Sequence, residues 1–185
     1  MQRISKIGKI LTKILEVFHW VGTGLLAAAT VCALAAPGWV GNFVEFDACA
    51  CCGADLTVYG FEVNAPVVDG NVDMTTFFLF GIGASLILAL MAMVFHHLHR
   101  IFRNSENATP FRKENIRSCR YIGLFSIAVP VIGFLMSVLI RLVNGAETAE
   151  ISVDTAGILM GVIVLCLTQF FVYGAQLEED VDGLV

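Results

Sequence analysis

The chain has 185 residues, 57% of them hydrophobic and 15% charged, with a mean hydropathy of +0.81. So little polar side chain cannot cover a water-soluble core of this size, which excludes an ordinary soluble domain and leaves an integral membrane protein. The formal net charge of -5 conceals a sorting of the signs along the chain, and the sorting carries the topology.

Arg3, Lys6, Lys9 and Lys13 lie among Ile and Leu at the start, a pattern that predicts a short amphipathic helix or a basic flank on an anionic membrane face. Residues 17–40 then carry no formal charge, long enough for a first span at about 20 residues per bilayer. Basic residues ahead of an apolar run ending Ala33-Leu34-Ala35 also have the form of a signal peptide. The run is longer than a usual signal core, so a retained span is expected.

The connection 41–76 holds Glu45, Asp47, Asp55, Glu62, Asp69 and Asp73 with no Lys or Arg, and is expected outside the cell. Within it LTVYGFEV, from Leu56 to Val63, is rich in β-formers, while Gly53, Asn64, Pro66 and Asp69-Gly70-Asn71 mark breaks. A small β-hairpin or two short strands fits this stretch.

A second span is expected over 77–97, closed by His96, His97, His99 and Arg100. The basic loop 98–118 follows, with Arg100, Arg103, Arg112, Lys113, Arg117 and Arg120 in and beside it against only Glu106 and Glu114. Thr109-Pro110 reads as N-cap and first residue of a helix that runs into the third span, 119–141, where Pro130 removes a backbone bond and frees a carbonyl near Ser126. Arg141 closes that span and is expected to meet headgroups or Glu147, Glu150 or Asp154. The fourth span, 156–177, opens with Gly157-x-x-x-Gly161, and Gly24 with Ala28 and Gly81 with Ser85 repeat the small-x-x-x-small spacing of close-packed membrane helices. Thr168 and Gln169 are its polar residues, expected to bond between helices, and 178–185 is an acidic tail.

Of eleven Lys and Arg, ten fall before the first span or in and directly beside the basic loop, and Arg141 alone falls on the other side. An even number of spans then places both termini in the cytosol of a multi-pass plasma-membrane protein. The expected fold is an all-α membrane protein, a single domain over 1–185, built as a four-transmembrane-helix bundle with a small extracytoplasmic loop between helices one and two that accommodates β structure.

Cys49, Cys51 and Cys52 share the outer loop, where thiols in an oxidising compartment form a disulfide; their connectivity stays open. Quinone-linked thiol oxidases need a second outer cysteine pair, and residues 144–155 have none. A zinc site would need a fourth donor such as Asp47 or Asp55. Facing histidines among His19, His96, His97 and His99 would be the alternative, a haem protein. Nucleotide-binding, hydrolase and metalloprotease motifs are missing, and the four spans contain no carboxylate of the kind that marks ion pathways. No catalytic residue, metal ligand or cofactor is therefore expected.

Two stretches, TPFRKENIRSCRYIG (109–123) and FFVYGAQLEEDVDGLV (170–185), carry a resemblance to the bacterial domain-of-unknown-function 2975 family, which includes the YoaS-like proteins. The likeness in span number and spacing extends over nearly the whole chain, while the Cys-rich outer loop departs from the family pattern. The resemblance implies a regulatory membrane protein partnered with a small helix-turn-helix transcription regulator. It implies as signature positions Pro110, Phe111, Asn115, Tyr173, Gly174, Leu177, Glu178, Glu179 and Asp182, with Arg112 beside them. The expected partners are thus the lipid bilayer and such a regulator, with no direct nucleic acid; a homo-oligomer is left open.

Overall fold

Within a bilayer a backbone must satisfy its own polar groups, so long uncharged runs of Leu, Ile, Phe and Ala have helix as their stable state. The computed structural model describes residues 2–35, 54–68, 71–104, 112–145, 148–149 and 154–182. It contains four helices long and apolar enough to cross a membrane: α1 (Gln2–Ala35), α2 (Met74–Asn104), α3 (Lys113–Asn144) and α4 (Thr155–Asp182). At 1.5 Å per residue the 31 residues of α2 reach about 46 Å, well beyond a hydrocarbon core of about 30 Å. Each helix therefore continues past its apolar stretch, and the charged residues at the ends are carried on helix rather than on loop.

Several expected boundaries move for that reason. The basic N-terminal flank is the first part of one continuous α1. The basic loop 98–118 is helical over its first seven and last six residues, through Asn104 and from Lys113. α3 begins at Lys113 rather than at Pro110, with the Arg112 carbonyl accepting from Asn115 and Ile116; Thr109, Pro110 and Phe111 lie outside the described residues. The acidic tail is an extension of α4 as far as Asp182.

The described residues gather into two compact units, one within Met1–His19, Leu90–Ala128 and Thr155–Val185, the other within Trp20–Ala89 and Val129–Asp154. In the first, which we call the terminal unit, α1 and α2 run antiparallel, with Phe102 against Gly8, Phe95 against His19 and the His99 imidazole on the Lys9 carbonyl at 3.0 Å. α3 and α4 approach most closely at a pair of glycines. A Cβ on Gly161 would stand 2.8 Å from the Gly123 carbonyl oxygen, and one on Gly123 would stand 3.1 Å from that of Gly161. The expected close-packing role of Gly161 thus has Gly123 as its counterpart. Thr168 donates to Val164 within its own helix at 2.8 Å instead of bonding a neighbour, because a threonine hydroxyl in a helix finds the preceding turn's carbonyl first.

In the second, the hairpin unit, β1 (Ala54–Val58) and β2 (Phe61–Ala65) pair antiparallel from Ala54 opposite Ala65 to Val58 opposite Phe61. The two-residue turn, Tyr59-Gly60, has φ of 49° and 76°, the doubly positive combination whose twist matches that of the flanking strands. β3 (Val67–Val68) and β4 (Asn71–Val72) form a second, shorter pair around the expected turn, of which Asp69 and Gly70 lie outside the described residues. The free edge of β2 is covered by Thr148 and Ala149, through Asn64 N–H donating to the Thr148 carbonyl at 3.0 Å and a bridge from Val63 to Ala149.

Strand alternation turns Phe61, Val63 and Ala65 to one buried face. Phe61, 1% exposed, stacks on Phe80 of α2 at 5.2 Å and reaches toward Gly83 and Gly133, which have no side chain to obstruct it. Asp73 caps α2, accepting from Thr76 N–H at 2.8 Å and from the Thr76 hydroxyl at 2.7 Å. Asn144, in the last turn of α3, donates to the same carboxylate at 3.2 Å and to the Thr76 hydroxyl, tying the end of α3 to the start of α2. Of the other small-residue spacings, Gly81 lies against Thr30 of α1, whereas Gly24 faces open space.

Candidate functional site

Polar side chains in the terminal unit concentrate where α2 ends and α3 begins. His96, His97 and His99 are nearly consecutive, but 100° per residue sends them to different neighbours. His96 and His99, one turn apart, both meet α1: His96 Nδ1 lies 3.1 Å from Glu16 Oε1, and His99 Nδ1–H donates to the Lys9 carbonyl. His97 turns to α3 and stacks on Tyr121 at 5.0 Å, with Phe125 at 5.9 Å. His19 donates from Nδ1 to the Leu15 carbonyl at 2.7 Å and packs on Phe95.

Glu16 is the residue that sequence reasoning missed. It stands one position before the expected uncharged span, yet it is only 5% exposed. A carboxylate is thus buried in α1 ahead of the expected span 17–40, which itself holds none. Its Oε2 has Lys13 Nζ at 3.1 Å as an ion pair without good hydrogen-bond angles, and its Oε1 has His96. The local signal was Lys13 at i−3, a spacing that puts both side chains on one helix face.

Beside this cluster a cavity of about 310 Å³ is lined by His97, Arg100, Glu114, Arg117, Ser118 and Tyr121. Arg117 donates to the Tyr121 hydroxyl at 3.2 Å and lies over its ring, 5.6 Å from the centroid. Ser118, buried, donates to the Glu114 carbonyl. The Nδ1 of His97 is buried and has no hydrogen-bond partner among the described residues.

The candidate partner positions separate by environment. Asn115 is buried and accepts from Asn104 Nδ2 at 3.2 Å, which joins the two helix ends and takes its side chain off the surface. Arg112 is exposed. On α4, Phe170, Tyr173 and Leu177 form an exposed stripe, the last two 65% and 66% accessible, with Gly174 half-buried beside it. The helix continues through half-buried Glu178 to exposed Glu179 and Asp180. None of these three carboxylates makes an ion pair among the described residues. The side chain of Asp182, like Pro110, Phe111 and the disulfide candidates Cys49, Cys51 and Cys52, lies outside the described residues. Cys32, Cys119 and Cys166 are free thiols. Among the described residues no three His, Cys, Asp or Glu side chains gather as metal donors.

The fold defines a four-helix integral membrane protein whose loop between the first two helices carries a small strand pair. No family model, curated protein or solved structure matches the chain.

Proposed function

We propose that the chain is a non-enzymatic regulatory protein of the plasma membrane, with both termini in the cytosol, whose cytosolic helix ends hold a soluble helix-turn-helix transcription regulator. The observation that carries this reading is the end of α4. Glu178, Glu179 and Asp180 extend on helix beyond the apolar stretch, next to exposed Tyr173 and Leu177, and pair with none of the described basic residues. Acids that shielded the basic loop would be engaged with it. Acids on a helix beside an aromatic, with no basic partner among the described residues, are instead disposed to meet a basic surface, and the DNA-binding face of a regulator is such a surface.

Exposed pairs contribute only about 0 to 1 kcal/mol each, so the contact is exchangeable and sensitive to salt. Regulator and DNA then compete through the same charges, and release from the membrane frees the regulator to bind nucleic acid. The ten-to-one sorting of Lys and Arg supports the cytosolic placement.

The test neutralises the acids without removing the helix. The variant E178Q/E179Q/D180N/D182N should insert normally and lose retention of a helix-turn-helix regulator co-expressed with it, measured by membrane fractionation at low and moderate salt. Full retention by the variant under both conditions would refute the reading.

A further inference from the structure

We propose that the cavity between the end of α2 and the start of α3 is a binding site for a phosphate group. It stands apart from the docking function above and rests on three features of one small volume. The first is size: about 310 Å³ lies at the lower end of the roughly 300–1,000 Å³ of small-molecule sites, ample for a phosphate with a short organic substituent. The second is charge. Arg100 and Arg117 line the cavity against a single carboxylate, Glu114, and neither arginine is ion-paired among the described residues. Arginine presents a planar fork of donors that suits phosphate oxygens, whereas a nucleophile or a metal would call for other neighbours.

The third feature is His97. Its ring is 9% exposed, clamped against Tyr121, and its Nδ1 has no partner among the described residues. A buried ring nitrogen without a partner is an unmet hydrogen bond. His97 lines the cavity with its ring, and the Tyr121 hydroxyl on the same wall, already held by Arg117, has its own proton to donate to an anion oxygen there. The site also sits on the first turns of a 32-residue helix, where the backbone dipole favours negative charge.

Glu114 at the rim opposes an anion, and its carboxylate is turned toward Asn104, whose Nδ2 lies 3.4 Å from Oε2. The groove lined by Lys6, Lys9, Lys13 and His99 is larger but weaker as a candidate, because Lys13 is committed to Glu16 and His99 to the Lys9 carbonyl. A phosphate can reach the cavity as a lipid headgroup, since the site lies where α2 has outrun the hydrocarbon length, or as a free phosphate from the water phase.

The full chain in phosphatidylcholine nanodiscs, titrated calorimetrically with inorganic phosphate and separately with dioctanoyl phosphatidic acid, distinguishes the sources. Tighter binding of phosphatidic acid assigns a headgroup site; equal binding of both assigns a free-phosphate site. R100Q removes an exposed side chain that the fold does not need and should weaken binding about tenfold, the loss of one charge-assisted contact. K113Q, an exposed residue off the cavity with the same charge change, should leave affinity within about twofold. Equal weakening by R100Q and K113Q, or no binding of either probe by the native chain, overturns the proposal.

Discussion

His96 on α2 and Glu16 on α1 meet at 3.1 Å between Nδ1 and Oε1, eighty residues apart in sequence. Glu16 is buried while Lys13 and His96 are about half exposed, so a carboxylate is held inside by a lysine and a histidine that keep contact with the surface. That arrangement limits the desolvation of the two partners and leaves the carboxylate as the group that needs them.

Glu16→Gln should therefore destabilise the protein by about 1 to 2 kcal/mol, below the roughly 3 to 5 kcal/mol of fully buried pairs because the partners left behind are half exposed. Thermal unfolding in detergent measures it. His96→Gln in the Glu16→Gln background should then cost little further, and full additivity of the two changes would show that they do not interact.

Phe61→Ala removes the ring stacked on Phe80 and the contacts beside Gly83 and Gly133. The expected loss is about 3 to 5 kcal/mol, against about 1 kcal/mol for Phe61→Leu. Limited proteolysis of 54–65 should follow the same order, since the hairpin is anchored through this face.

Gly161→Val places a branched side chain where even a Cβ would stand 2.5 Å from Ile127 Cγ1 and 2.8 Å from the Gly123 carbonyl. α4 must withdraw from α3, at an expected cost of about 1 to 3 kcal/mol. Gly24→Ala, with nothing within 4 Å, should be neutral or slightly stabilising. Equal effects of the two changes in detergent unfolding would contradict the assigned helix contact.

Reporter fusions test the proposed orientation. Alkaline phosphatase joined after Val185 should be inactive and a fluorescent protein there should be bright, whereas phosphatase inserted in the acid-only 41–76 connection should be active. The reverse pattern removes the cytosolic placement on which the proposed docking depends.

The number of helices and the strand-forming character of Leu56 to Val63 were legible because they follow from local physics: uncharged runs of span length must be helical in a membrane, and β-branched and aromatic residues bounded by breakers favour strands. The two-residue turn at Tyr59-Gly60 was not, since Tyr59 carries no marker of a positive φ. Helix ends were misjudged for a related reason. Hydropathy reports where apolar residues stop, and α2, α3 and α4 all continue on polar residues for several positions more.

By itself the sequence determined a four-helix membrane architecture, a strand pair in the first connection and a strong asymmetry of charge, all properties of composition and of residues close together in the chain. Only the tertiary structure decided that Glu16 meets His96 on α2, that adjacent His96 and His97 serve different helices, that Gly123 is the counterpart of Gly161, and that Phe61 stacks on Phe80. Each depends on the rotation and register of one element against another. A one-residue shift turns a helix face by 100° or sends a strand's side chains to the opposite side, and these relations are settled by how side chains interlock across the interface rather than by any local pattern.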